Sequence, residues 1–304
     1  MQTNLMKYKN LFFIVPGLLS VLAIAALLFW GLKPGIDLIG GSFLEVSYTG
    51  ARPTMEQVHT AVINAGIENA RVQPTGETGY ILRQRDLTND ERQTLLKSLG
   101  TLGEVHEEQF NSVGPIIGAE LLQKAWIAIV LVVISIIIFI AFAFRGVSKP
   151  VASWKYGVVA IITLLHDILI PLGLFALLGF THGAEVDALF IVALLTILGI
   201  SINDTIVVFD RIRENLHKND QKSKHEDFDM VVSKSIKQTL TRSINTSLTV
   251  LIVLAALWIL GPASTRDFAL TLIVGMIAGT YSSIFLASPL LVVWNDFSRR
   301  GKNK

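Results

Sequence analysis

Cysteine is absent from the 304 residues of this chain, which excludes disulfides, thiolate metal sites and thiol nucleophiles. Charge is scarce as well. Only 16% of the residues are Asp, Glu, Lys or Arg, against 51% hydrophobic, a balance too apolar for an ordinary soluble domain of this length. The six histidines are scattered and form no HExxH or comparable ligand spacing, so no metal and no other cofactor is expected. No nucleophile or metal constellation accompanies the acidic residues, so the chain does not read as an enzyme. The net charge of +2 says little as a sum, because the signs are sorted along the chain.

What the chain has in abundance is long apolar runs, at 11–30, 125–144, 156–180, 188–209, 244–260 and 268–294. About 20 apolar helical residues cross the ~30 Å hydrocarbon core of a bilayer, so these runs predict six transmembrane helices. The first follows Lys7 and Lys9 and ends in Leu28-Phe29-Trp30. That is too long for a signal-peptide core and lacks small residues at its end, so it reads as a permanent anchor rather than a cleaved signal. The last run is long enough to tilt or to extend beyond the bilayer.

The segment between the first two runs is different: polar, charged with both signs, and rich in turn residues. Thr54-Met55-Glu56-Gln57 and Thr88-Asn89-Asp90-Glu91 both fit the capping box, in which a hydroxyl caps an orphan amide and a Glu or Gln reaches back. After the first, Met55, Val58, Val62 and Ala65 fall on one helical face; after the second, Leu95, Leu96, Leu99 and Leu102 do so. Strand-like stretches at 43–48, 70–73, 80–85 and 105–110 surround them. The order β-α-β-β-α-β predicts a ferredoxin-like α+β domain with both helices packed on one sheet.

Orientation follows from Lys and Arg in the short connections. One side carries Lys7, Lys9, Arg145, Lys149 and Lys155, eight basic residues from Arg211 to Arg242, and Arg299, Arg300, Lys302 and Lys304. The other side holds Arg266 as its short-loop cation, beside Glu185, Asp187 and Asp267. Both termini are therefore expected in the cytoplasm. The expected division is 1–31 for the N-terminus and first span, 32–120 for the extracytoplasmic domain, 121–298 for the remaining five spans with a cytoplasmic loop at about 210–242, and 299–304 for a basic tail. Nucleic-acid binding gains no support, because the basic residues sit where membrane topology already requires them.

An ionisable side chain inside a span costs several kcal/mol, so each one calls for a reason. Asp204 lies in the fourth run with Thr205 to Phe209 still to come, and Ser201, Asn203 and Thr205 make this stretch unusually polar. If the helix stopped at the end of the run, its macrodipole would disfavour an acid there, an objection that weakens if it continues past Arg211 and Glu214. Arg242 lies just before the fifth run. It is either one more positive-inside residue snorkelling to the interface or the cation that balances Asp204, as a proton-handling carboxylate needs. His166-Asp167 near the middle of the third run is either a structural hydrogen-bonded pair or a proton relay or partner contact. Gly275 and Gly279 have the spacing of close helix packing.

Five stretches resemble the SecF family of bacterial protein-export subunits. They are Gly35-Ile36-Asp37-Leu38-Ile39-Gly40-Gly41-Ser42, the segment Ser112 to Leu121, the segment Gly199 to Asn215, Thr239-Leu240-Thr241-Arg242-Ser243, and Gly279-Thr280-Tyr281-Ser282-Ser283. The third is the most specific, and Ile200 replaces its more usual aromatic without touching the polar positions. The resemblance covers essentially the whole chain. It implies an accessory subunit of the Sec machinery that works with SecD beside the SecYEG channel, with YidC and YajC as further neighbours, on unfolded preproteins. The family pair resembles the twelve-span core of resistance-nodulation-division exporters and uses protons moving across the bilayer to complete export. Carried over by motif, the proton-relay Asp is Asp204 and the relay Arg is Arg242; Ser201, Asn203, His166 and Asp167, read from their polarity within apolar runs, are candidates for a supporting polar site. A further carboxylate would come from SecD.

Two other readings remain. A solute or lipid exporter subunit of the same superfamily would need a larger exterior funnel than about 90 residues provide, and an assembly scaffold would leave Asp204 dispensable. The topological reading is directly testable: a reporter fused after Gly76 should be extracytoplasmic and one fused after Asn219 cytoplasmic. The reverse pattern in paired alkaline phosphatase and fluorescent-protein fusions overturns the orientation.

Overall fold

A computed structural model describes residues 5–144, 151–222 and 226–302, leaving aside the side chains of Tyr8, Ala263 and 299–302. The expected basic positions Arg145, Lys149, Lys224 and Lys304 lie outside the described residues. The chain divides into two compact units, one of residues 34–127 and one of residues 1–33 with 128–304.

In the smaller unit the elements run α3 (Ile36–Ile39), β1 (Gly41–Tyr48), α4 (Met55–Asn64), β2 (Arg71–Thr75), β3 (Gly79–Gln84), α5 (Asn89–Gly100) and β4 (Val105–Val113). The strands form one antiparallel sheet in the order β2-β3-β1-β4. Both capping boxes form: the hydroxyls of Thr54 and Thr88 accept from the amides of Gln57 and Glu91, whose side chains reach back to the cap amides. Each box satisfies two donors that a helix start would otherwise leave orphaned. The helices bury Val58, Ala61 and Val62 from α4 and Leu95 and Leu99 from α5 against Leu44, Val46, Tyr80 and Leu82 of the sheet. Met55, expected on the buried face, is instead exposed, because it is the first residue of α4 and lies beyond the edge of the packed face.

Two of the sequence motifs meet in this unit. Gly40 and Gly41 have φ of +83° and +138°, left-handed backbone that glycine adopts without a steric cost. A Cβ on Gly40 would sit 2.6 Å from Pro115 Cα, and one on Gly118 would sit 2.6 Å from the Gly40 amide nitrogen. The Gly40-Gly41 turn and the Pro115–Gly118 helix start are thus locked together by close backbone approach.

The larger unit is helical. A 3-10 turn (Leu5–Tyr8) leads into α1 (Lys9–Phe12) and α2 (Ile14–Trp30). Then come α6 (Pro115–Ala143), which begins in the smaller unit, α7 (Ser153–Thr181), α8 (Ala188–Asp220), α9 (Phe228–Leu260), α10 (Ala263–Ser282), a π-helical turn (Ser283–Ala287) and α11 (Ser288–Lys302). Six helical stretches are long and apolar enough to cross a membrane: Lys9–Trp30, Pro115–Ala143, Ser153–Thr181, Ala188–Asp220, Phe228–Leu260 and Ser264–Ser298. They match the six runs, and most extend beyond them. The 210–242 connection, expected as a loop, is itself mostly helix. The end of α8 and the start of α9 form a polar hairpin in which Asn215 donates to Ser235 Oγ and Gln238 Oε1, both at 2.8 Å, while Phe228, Val231, Val232 and Ile236 are buried.

The smaller unit yields a stability prediction. A soluble fragment of residues 36–114 should melt cooperatively, and Leu99→Ala, which empties a fully buried site, should cost about 2–5 kcal/mol. The Arg85 guanidinium, then the Thr88 amide and hydroxyl, hold the Glu91 carboxyl down to about 2. A depressed folded-state pKa stabilises above the ordinary carboxylate range and ceases to do so as pH falls through the folded value. Acid titration of the fragment by circular dichroism should therefore show stability falling between pH 4.5 and about 2, with a smaller fall in Glu91→Gln. Random-coil spectra at neutral pH would refute the independent fold.

Candidate polar site within the membrane spans

Helices α7, α8 and α10 pack on one another, and their contact is built on small residues. A Cβ on Gly275 of α10 would lie 2.2 Å from Ile197 Cδ1, and one on Gly279 would lie 3.1 Å from Ser201 Cβ. The GxxxG spacing therefore marks a close approach of α10 to α8, within this chain. On the other side, Gly173 of α7 leaves room for α2, since a Cβ there would meet Ala23 at 2.4 Å.

Four of the expected site residues collect at this contact. Asp204 is 5% exposed and shares with Ser201, Thr280, Gly279 and Gly275 the lining of a cavity of about 10 Å³. Ser201 donates to Asp167 Oδ2, and Asp167 Oδ1 lies 2.9 Å from His166 Nδ1. Asp167 is 0% and His166 6% exposed, so this is a buried polar cluster with both carboxylate oxygens occupied. The other imidazole nitrogen, Nε2, is buried with no hydrogen-bond partner among the described residues.

Two expected residues are placed differently. Asn203 is exposed, because one residue of helix turns it about 100° away from the buried Asp204. Arg242 is exposed too, and no hydrogen bond or ion pair joins it to Asp204 among the described residues. Its guanidinium is near enough for its charge to act on the Asp204 carboxyl. The macrodipole objection to Asp204 disappears, since α8 continues unbroken to Asp220. The negative end of the helix is roughly 24 Å beyond the acid, and the effect fades within one turn.

The π-turn was not legible from the sequence. Ser283 Oγ lies 2.9 Å from Thr205 Oγ1 and donates to the Gly279 carbonyl at 2.7 Å and the Ser201 carbonyl at 3.4 Å. Ser247 Oγ lies 2.6 Å from Thr280 Oγ1. The signal available was the density of hydroxyls at 280–283, which places hydrogen-bonding groups inside an otherwise apolar span. Among the described residues no three His, Asp or Glu side chains group as a metal site would.

The packing can be tested by itself. Gly275→Ala forces Ile197 aside and should lower stability by about 1–3 kcal/mol, with Ile197→Val restoring part of the loss in the double variant. Thermal unfolding in mild detergent reads both, and additive effects would refute the contact.

Comparison with known proteins places this arrangement. The family described as protein export membrane protein SecD/SecF, C-terminal, matches residues 92–296. The chain is 40% identical over 314 aligned positions to protein translocase subunit SecF of Thermobaculum terrenum, covering 97% of this chain and 96% of that protein. It is 37% identical over 321 positions to protein translocase subunit SecF of Synechocystis, covering 100% and 97%. The crystal structure of SecDF, a translocon-associated membrane protein from Thermus thermophilus, superposes with a TM-score of 0.83 at 32% identity over 97% of this chain and 39% of that one. A structure of SecDF in a super-membrane-facing form superposes with a TM-score of 0.69 at 31% identity over 100% of this chain and 40% of that one. The chain therefore spans about two fifths of the SecDF chains and nearly all of the SecF relatives.

Proposed function

The chain belongs to the SecF family of protein-translocase subunits, and from that premise we propose that it is an accessory subunit of the Sec export machinery. With a SecD partner it couples the proton-motive force to late steps of preprotein translocation across the inner membrane. The observation that carries the coupling is Asp204: a carboxyl buried inside a membrane span, with no hydrogen bond or ion pair among the described residues, beside a cavity of water size. Such a group is costly unless its protonation is part of the work.

The partner is indicated by polar residues on the outside of an apolar span. Asn203 on α8 and Arg242 and Asn245 on α9 are exposed, the last two at helical spacing on one face. Lipid does not hydrogen-bond such groups, whereas a SecD bundle that supplies a further carboxylate does. Arg242 on that face acts on Asp204 from the partner side. SecYEG, with YidC and YajC, is the channel assembly that the pair would serve. The strand order β2-β3-β1-β4 with both helices on one face supports the ferredoxin-like reading of the smaller unit. The basic asymmetry of the connections supports placing that unit outside and both termini in the cytoplasm.

The energy is adequate. One charge crossing 100 mV releases about 2.3 kcal/mol, which biases a two-state movement roughly fifty-fold.

Preprotein translocation into inverted membrane vesicles tests the reading, with and without an uncoupler and at matched protein levels. Asp204→Asn keeps the shape and removes the titration. It should leave assembly with SecD unchanged, abolish stimulation by the gradient and spare ATP-driven export. Arg242→Lys loses the planar fork and should be partly defective; Arg242→Leu should be worse. Full gradient response in Asp204→Asn vesicles would make the residue structural and overturn the coupling.

A further inference from the structure

Where α7 begins and the last span ends, the larger unit holds a cation that no acid answers among the described residues. Lys155 Nζ donates to Ser298 Oγ of α11 at 2.5 Å, and the Ser298 hydroxyl donates in turn to the Trp294 carbonyl at 2.9 Å. The serine therefore presents a lone pair to the ammonium. The same ammonium lies 6.0 Å from the ring of Trp154 and 5.8 Å from that of Trp294, and the two indoles meet edge-on at 5.2 Å and 88°. An ammonium carries three donors, of which Ser298 accepts one. The acid of α11, Asp296, is held by Lys9 at 2.5 Å. The acid of α7, Asp167, is buried about three helical turns further along.

The tryptophans mark the depth. Trp294 closes the last apolar run, and Trp154 lies just before Tyr156, which opens the third. Both indoles thus sit at headgroup level, where Trp is enriched. Trp154 is 59% and Phe297 76% exposed, so aromatic surface opens outward on both helices. The sequence on either flank is basic: Arg145 and Lys149 precede α7, Arg299 and Arg300 follow Ser298, and neither 145–155 nor 297–304 contains Asp or Glu. This is the side that the basic asymmetry assigns to the cytoplasm, whose leaflet is negatively charged.

We propose that Lys155, Trp154 and Trp294 bind the headgroup phosphate of an anionic phospholipid, with Ser298 positioning the ammonium. The lipid bridges the start of α7 to the end of the last span. Its phosphate oxygens take the ammonium donors that Ser298 leaves over, and its acyl chains run down from the indoles into the bilayer. Contact with two rings removes water from the ammonium, which strengthens a charge-assisted hydrogen bond to an anion. A free anion would answer the charge alone, whereas an amphiphile also covers the exposed rings. A zwitterionic lipid would bring a second cation to a basic surface, so a net negative headgroup is preferred.

Native mass spectrometry of the full chain in mild detergent tests this, with phosphatidylglycerol, phosphatidylcholine and inorganic phosphate as probes. Wild type should hold phosphatidylglycerol in preference to phosphatidylcholine, and inorganic phosphate at equal concentration should not displace it. Lys155→Gln should weaken that binding about fivefold or more, and Lys155→Arg, which keeps the charge, should retain most of it. Lys218→Gln removes an equal charge from the α8–α9 hairpin, where Lys218 pairs with Glu214 at 2.5 Å, and should leave binding unchanged. Equal retention of the two lipids, or equal losses in Lys155→Gln and Lys218→Gln, reduces the effect to general attraction by a basic surface and overturns the proposal. Displacement by inorganic phosphate makes it an anion site without a lipid and overturns it too. Where Lys155→Gln does not accumulate, tryptophan quenching decides. Brominated phosphatidylglycerol should quench wild type more than brominated phosphatidylcholine does, and Trp154→Phe, at an exposed position, should remove part of that excess. No excess, or one that Trp154→Phe leaves intact, overturns the site.

Discussion

Helices α7, α8 and α10 meet where Gly279 faces Ser201 and Asp167, and the rest of the larger unit depends on what that contact permits. Inside a bilayer no water answers a carboxyl group, so each acid must find its partners within the bundle. Asp167 finds them in His166 and Ser201, and this requires α8 to lie within hydrogen-bonding distance of α7. Glycines 275 and 279 allow α10 to close over that pair, since any larger residue would meet Ile197 or Ser201. The same closeness leaves beside Asp204 a space of water size rather than a channel.

The π-turn at 283–287 belongs to the same constraint. One extra residue in a helical turn frees a backbone carbonyl and re-aims the side chains beyond it. Here Ser283 is turned towards Thr205 and the Ser201 carbonyl, next to the residues that carry the acids. The last span is thereby pinned to α8 on both sides of Asp204: by Gly275 and Gly279 before the turn and by Ser283 within it.

Much of this was legible in the sequence, for reasons of scale. A run of about 20 apolar residues is a strong signal because the bilayer sets its length, and capping boxes are legible because their chemistry lies within four residues. The helix ends were not legible. Helix α9 begins at Phe228 rather than near Ile244, because its first turns are amphipathic and pack as a hairpin on α8, which hydropathy does not register. Asp204, Ser201, Asp167 and His166 were each visible as polar residues in apolar runs. That Ser201 joins two of them could not be read, since it depends on how closely α7 and α8 approach. Asn203 and Arg242 looked like members of the same group because they are near Asp204 in sequence or motif, yet helical rotation places both on the outside.

Their exposure bears on completeness. About half of the most apolar stretch of α7 and of α8 is buried within the chain, and 61% of the last span, but only 17% of α9 and 6% of α6. For α6 this is unremarkable, since its apolar side chains are at home in lipid. For α9 it is not, because Arg242 and Asn245 stand on that open surface, and lipid supplies such groups with no hydrogen-bond partner. The chain therefore partners Asp167 within itself but leaves Asp204 and Arg242 without a hydrogen bond or ion pair between them among the described residues. On the export reading this imbalance has a simple physical resolution: the face of α8 and α9 is covered by the second bundle of the pair. The Arg242 charge then acts on Asp204 at a seam between two subunits, where a small relative movement changes both its distance and its hydration. A carboxyl enclosed wholly within one rigid bundle would hold or lose its proton regardless of that movement. One placed a side chain away from a mobile seam ties the two together.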